Sequence, residues 1–311
     1  MEEFISYAKW ILSGEHAVVR GAKAIVFPLQ NFFNKITLEE STSFEIKIAA
    51  SPKANSNEKV TEIIETLADL FMRATRFLKI SDSNVRGKFY VQSNIPQKVG
   101  FGSSAAVCVN VAKIFQYFGF CDDIFSLARH LEDKFHKKSS GLDICVVLHN
   151  RPLIFENGKT AKFLDANLDF QPNLLLTYSG KTSGTSECAA KVQEIFARDP
   201  LWAAQLDKKM AMASNLCEQG FEERNLKKLA DGINLCRRVF DEWGLCNEPV
   251  MRHIDMLFSE GAIAAKPVGS GLGGYVLSLW NEIPERYRHI DLTLDDSAMY
   301  YPVLINGENY E

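Results

Sequence analysis

The sequence lacks the features that mark several broad protein classes. Its 311 residues contain no run of about 18 apolar residues, so no membrane-spanning helix is expected. It has no basic tract and no basic-aromatic stripe, and its net charge is −4, which argues against bulk attraction to nucleic acid or a membrane surface. Glu2 and Glu3 stand where a secretory leader would carry basic residues ahead of an apolar stretch, so no such leader is expected. The seven cysteines (Cys108, Cys121, Cys145, Cys188, Cys217, Cys236 and Cys246) are odd in number and include no Cys-x-x-Cys pair. They read as buried free thiols of a reducing, cytoplasmic compartment. The six histidines show no metal-ligand spacing, so a zinc site is not expected. Repeats and low-complexity segments are absent. What remains is 46% hydrophobic and 24% charged, an ordinary globular balance with enough chain for an ample core in one or two domains.

Against that background one segment stands out. Pro96-Gln97-Lys98-Val99-Gly100-Phe101-Gly102-Ser103-Ser104-Ala105-Ala106 runs into Ala105–Phe115, an apolar stretch that predicts a buried helix. A glycine loop at a helix start aims several backbone N–H groups at one spot, and the helix dipole adds roughly half a positive charge there. Phosphate suits such a cradle, and serine hydroxyls can add hydrogen bonds or a magnesium contact. Two common phosphate signatures do not fit. Gly180-Lys181-Thr182 has Leu175 where a P-loop needs glycine. Gly269, Gly271 and Gly274 spell a G-x-G-x-x-G, but late in the chain and leading into the strand-like Tyr275–Leu279. The His-Arg-Asp and Asp-Phe-Gly pieces of protein kinases are missing.

Periodicity predicts further elements. Strands are expected at Ala24–Pro28, Phe44–Ala49, Val85–Ser93, Leu174–Tyr178, Tyr275–Trp280 and Ile290–Leu294. A hairpin is expected from Cys145–Leu148 and Leu153–Phe155 around Asn150-Arg151-Pro152. Helices are expected at Glu58–Leu78, with Ile63, Ile64, Leu67, Leu70, Phe71, Ala74 and Phe77 on one stripe, and at Asp123–Lys137. Four more follow at Thr185–Ala197, Leu201–Glu218, Asn225–Trp243 and Pro249–Ser259. The polar stretch Ala166–Pro172 is the expected boundary between domains 1–168 and 169–311. Strands and helices mix without strict alternation, which favours α+β over a doubly wound parallel sheet.

Three other segments are as dense as the serine-rich loop. They are Lys9-Trp10-Ile11-Leu12-Ser13-Gly14-Glu15-His16-Ala17-Val18-Val19-Arg20-Gly21, Glu132 through Asp143, and Lys266-Pro267-Val268-Gly269-Ser270-Gly271-Leu272-Gly273-Gly274. The four segments, in this order, resemble the GHMP kinases, and Gly-Glu-His-Ala-Val-Val resembles the mevalonate kinase branch. The resemblance implies a ribosomal-S5-like N-terminal domain, a ferredoxin-like C-terminal domain and an active site between them. It also implies ATP- and Mg2+-dependent phosphorylation of mevalonate, a small-molecule substrate, by a cytoplasmic enzyme, with a homodimer as the oligomeric expectation.

Residue by residue, the resemblance implies that Asp143 takes the hydroxyl proton and that Lys9 contacts both Asp143 and the reacting oxygen. Glu132, eleven residues before Asp143, and Ser104 match the magnesium contacts. Pro96, Gly100, Gly102, Ser103, Ser104 and Ala105 form the nucleotide loop. Glu15, His16, Thr185 and Gly271 are placed at the acceptor. Read alone, Glu132 is a solvated helix charge and Thr185 a helix N-cap.

The chain departs from the pattern at Ala8 and Leu272, which replace glycines, at Phe101 for leucine, and at Val107 for an aromatic residue. Lys137-Lys138-Ser139 replaces a Gly-x-Pro stretch. The two added lysines suit a more negative acceptor such as phosphomevalonate, and other small alcohols or sugars stay open. A diphosphomevalonate decarboxylase and a non-catalytic nucleotide-binding relative are the remaining alternatives.

Overall fold

The computed structural model describes residues 1–49, 57–135, 139–164, 170–182, 184–287 and 300–303. The chain divides into two compact units. The first comprises Met1–Lys9, Pro28–Pro96 and Gly102–Asn150, and the second comprises Trp10–Phe27, Gln97–Phe101 and Arg151–Glu311. Strands β1 (Glu2–Ser13) and β2 (Ala24–Glu39) contribute residues to both. The boundary expected near residue 168 lies outside the described residues, as does the strand expected at Ile290–Leu294.

In the first unit, β3 (Phe44–Ile48) runs parallel to β4 (Gly87–Ser93), and β4 pairs antiparallel with Asn34–Glu39 of β2. Four helices accompany them: α1 (Asn57–Leu78), α2 (Ser103–Tyr117), α3 (Ile124–Glu132) and α4 (Leu142–His149). The expected stripe on α1 buries Leu67, Leu70, Phe71 and Ala74. Phe71 meets Phe89 and Phe115 at ring distances of 4.8 and 5.8 Å. Phe77 is 43% exposed and lies instead against His130, because the last turn of α1 outruns the core.

Helix α2 is apolar on nearly every side, yet its core position 110 is asparagine. Asn110 donates to the Asn34 carbonyl and side-chain oxygens, both at 2.8 Å, and accepts from Ser6 Oγ at 2.7 Å. A buried amide is tolerated when satisfied in this way, and here it locks α2 to β1 and β2.

Cys145–Leu148, expected as a strand, belongs to α4. Gly141 at φ 86° opens this helix and Asn150 at φ 48° closes it. Ile144, Cys145, Val146 and Val147 are all buried. With four consecutive positions buried, this run has no polar residue to mark a 3.6-residue period.

In the second unit, Ala24–Val26 of β2 pairs antiparallel with β5 (Leu153–Glu156), and β5 with β6 (Lys159–Phe163). An antiparallel sheet orders β10 (Tyr300–Val303), β7 (Asn173–Tyr178), β9 (Tyr275–Trp280) and β8 (Ala264–Pro267). Helices α5 (Thr185–Arg198), α6 (Pro200–Glu222), α7 (Leu226–Glu242) and α8 (Glu248–Ser259) complete the unit. One apolar cluster gathers Leu206, Met210, Phe240, Trp243 and Leu272, and a second gathers Leu175, Ile254, Val276 and Trp280. The fold is α+β, with antiparallel pairing prevailing, as expected.

Candidate active site

In the first unit, β1 carries Lys9, a lysine only 3% exposed whose Nζ lies 2.9 Å from Oδ2 of Asp143. Its stem runs against Gly102: a Cβ at that glycine would come within 2.9 Å of Lys9 Cγ. Gly102 has φ 73° and occupies the N-cap of α2 without a side-chain cap. The first-turn N–H groups of α2, at Ser103, Ser104 and Ala105, therefore meet no capping side chain, and no acidic residue sits in that turn. Asp143 occupies the first turn of α4, where the helix dipole favours a carboxylate.

Glu132 closes α3 at 2% exposure. Its Oε2 accepts the Ser139 hydroxyl, while its Oε1 is buried with no hydrogen-bond partner. Burial, followed by the negative charge of Asp143, pushes its carboxyl up to about 8. A carboxylate this costly to ionise, with one unsatisfied oxygen, fits a divalent cation. Burial, followed by the charge of Glu132, raises the Cys108 thiol, which sits one turn along α2 from Ser104. One carboxylate and one hydroxyl suit magnesium, which retains water and phosphate oxygens in its shell.

The second unit gathers the remaining residues around the turn 269–274. His16, at φ 57°, donates from Nε2 to the Ser270 carbonyl at 2.9 Å and packs edge-on against Phe240 and Trp243. The Gly271 carbonyl accepts from Cys188 Sγ at 3.3 Å, one turn into the helix that Thr185 opens. The cap of that helix is Gly184, and Thr185 is its exposed first residue. Gly274 N–H donates to the Lys181 carbonyl at 2.6 Å. On the other side, a Cβ at Gly100 would lie 3.1 Å from Gly269 Cα, and one at Gly269 would lie 3.0 Å from Gly100 Cα. The segment 97–101 thus rests directly on this turn. Pro96, immediately before it, is half-buried in the first unit.

Burial is the main cause that lowers the His16 imidazole to about 4. The ring is therefore neutral near pH 7, and with Nε2–H donating, Nδ1 is left as an acceptor. Between pH 6.5 and 4 the unfolded chain binds a proton that folded His16 refuses. This contribution to stability is complete above the unfolded pKa. It is lost as the pH falls, at roughly 1.4 kcal/mol per unit. Denaturant titrations across that window should show wild type losing more stability than His16→Gln. Parallel profiles for the two proteins would contradict the buried neutral ring.

Two contributors escape sequence reasoning. Lys266, fully buried on β8, donates to Glu15 Oε1 at 2.5 Å and to the Ile11 carbonyl at 3.2 Å, and lies 5.4 Å from the Phe240 ring centre. Glu15 is itself 2% exposed. Ser139 is the other, marked in the sequence only as part of a replaced stretch. The departures resolve as packing where they are described. Ala8 is buried, Phe101 stacks on Tyr275 at 4.4 Å, and Val107 is half-buried on α2. Leu272 adopts φ 59°, a left-handed conformation that costs about 1–2 kcal/mol for a residue with a side chain. Burial in the Phe240–Leu245 cluster offsets that strain. Lys137 and Lys138 lie outside the described residues.

Comparison with known proteins places these residues in context. Residues 62–151 match the model of the GHMP kinases N terminal domain. The mevalonate kinase of Aeropyrum pernix is 25% identical, with 96% of this chain and 94% of that protein covered. The mevalonate kinase of Pyrococcus horikoshii is 26% identical, with 91% and 89% covered. In fold, the chain is similar to the solved Methanococcus jannaschii mevalonate kinase, with a TM-score of 0.71, 21% identity and 90% of each chain covered.

Proposed function

We propose that this chain is a GHMP kinase that transfers the γ-phosphoryl group of ATP to the hydroxyl of mevalonate, giving 5-phosphomevalonate. The observation that carries this reading is the Lys9–Asp143 pair at 2.9 Å, a buried ammonium beside a carboxylate in the first turn of a helix. Phosphoryl transfer asks the protein chiefly for positioning and charge stabilisation. The acceptor oxygen attacks the γ-phosphorus, the bond to the β-phosphate bridging oxygen breaks, and ADP leaves. Lys9 holds Asp143 Oδ2, so Oδ1 is the oxygen that takes the hydroxyl proton. The Lys9 ammonium orients the carboxylate and steadies charge on the reacting oxygen.

Gly100, Gly102, Ser103, Ser104 and Ala105, with Pro96 fixing the entry to the loop, cradle the phosphates through backbone N–H groups. Glu132 and Ser104 are the residues that would hold Mg2+, which when bound neutralises charge on the phosphate oxygens. His16, with Nδ1 accepting, along with Thr185 and Gly271, serves the polar end of the acceptor. Glu15, gripped by Lys266, acts through the turn that carries His16. The seven free cysteines suit a reducing, cytoplasmic setting. None of the described helices is long and apolar enough to cross a membrane.

ADP release with ATP and magnesium across mevalonate, phosphomevalonate, homoserine and galactose tests the acceptor. Mevalonate should be the preferred stimulus. Turnover on phosphomevalonate alone would transfer the same chemistry to a more negative acceptor, and turnover on none would sink the kinase reading.

A further inference from the structure

We propose that Ser139 is a positioning residue that selects which oxygen of Glu132 is offered to the cation; the inference rests on the magnesium reading of Glu132. Ser139 occupies the stretch where the resembled pattern has Gly-x-Pro, and it is 6% exposed. Its hydroxyl donates to Glu132 Oε2 and accepts the Gly141 N–H at 3.0 Å. A hydroxyl has one proton, so giving it to Glu132 leaves only lone pairs for Gly141, and both roles are filled.

The backbone of Ser139 is pinned as well. Its N–H donates to Asp133 Oδ1 at 3.1 Å, and its carbonyl accepts from Arg129 Nη2 at 3.3 Å. The hydroxyl is therefore held in place by three hydrogen bonds, two with the end of α3 and one with the start of α4. With Oε2 engaged, Oε1 is the Glu132 oxygen left for metal, and it is the one without a hydrogen-bond partner. One-oxygen coordination is what a small cation with strict octahedral demands accepts most readily. Gly141, which receives the other half of the serine bridge, is the N-cap of α4, and Asp143 lies in the first turn of that helix. One hydroxyl thus ties the cation carboxylate to the segment that sets the base. Proline at this position would lack both the hydroxyl and the N–H, releasing Glu132 and Asp133 together.

The test measures binding of a non-hydrolysable ATP analogue to the full chain by calorimetry, with and without Mg2+. Wild type should bind more tightly when Mg2+ is present. Partners of metal ligands typically contribute 10–100-fold in metal affinity, so Ser139→Ala should lose about tenfold or more of that tightening. Binding without metal should stay unchanged, and Ser139→Thr, which keeps the hydroxyl, should restore the tightening. Ser139→Cys, near-isosteric with a poor donor, carries the same expectation as alanine if the alanine variant does not fold. Full Mg2+-dependent tightening in the alanine or cysteine variant would overturn the proposal, and so would an equal loss of metal-free binding. Glu132→Gln separates the two layers: if it leaves the tightening intact, the magnesium reading of Glu132 itself fails.

Discussion

Replacing Asp143 with asparagine should lower turnover by about 10²–10⁴-fold while nucleotide binding stays within a few fold of wild type. Asparagine matches aspartate in size and can still meet Lys9, but it cannot take a proton from an attacking hydroxyl. The nucleotide is assigned to the glycine loop and the start of α2, so its affinity should not depend on that proton. The substitution also leaves Lys9, 3% exposed, without the carboxylate that now faces it. Asp143 is itself 26% exposed, so water can answer part of that charge, and the stability cost should remain modest. Single-turnover measurements, which isolate chemistry from product release, are the sharper readout. Nucleotide binding lost in step with turnover would show that Asp143 anchors ATP, and would remove it from the role of base.

Replacing Lys266 with methionine should destabilise the fold by about 3–5 kcal/mol, the range expected when one partner of a buried ion pair is removed. Both side chains are out of solvent, Lys266 fully and Glu15 at 2%. The deletion removes the buried cation that faces the Glu15 carboxylate where water cannot replace it. The sign of the effect is not that of a surface bridge, which contributes little. The double variant Glu15→Gln with Lys266→Met should recover much of the loss, because no net charge is then left in the apolar surround. Chemical denaturation of wild type and the two variants checks this. A loss below about 1 kcal/mol in the single variant would mean that solvent reaches the pair. The KM for the acceptor should rise in the single variant more than kcat falls, since Glu15 precedes His16 on its turn.

Candidate chemistry carried by neighbouring residues is marked in the sequence. The glycine-serine loop, the segment from Glu132 to Asp143 and the Gly-Glu-His run each hold their meaning within a few positions. Amphipathic α1 and the four helices of the second unit declare themselves by period. Two kinds of feature do not. The middle of helix α4 is apolar without a break, and a run such as Ile144–Leu148 looks the same as a buried strand until Gly141 and Asn150 are seen to bracket a helix. Lys266 and Glu15 are 251 positions apart, and nothing local marks either as the other's partner. Ser139 is closer, seven residues from Glu132, but a serine in a polar stretch gives no sign that its hydroxyl is buried.

The close backbone approach of Gly100 and Gly269 carries a consequence for how this protein can change. Each glycine bars a side chain at the other position, and both adopt a left-handed backbone. No compensating mutation at one can make room for an alanine at the other, since what stands in the way is main chain. The two segments are therefore inherited as a pair. A loop transplanted from a related protein should be accepted only when residues 97–101 and 268–274 travel together, and directed evolution of nucleotide preference will have to work around this junction.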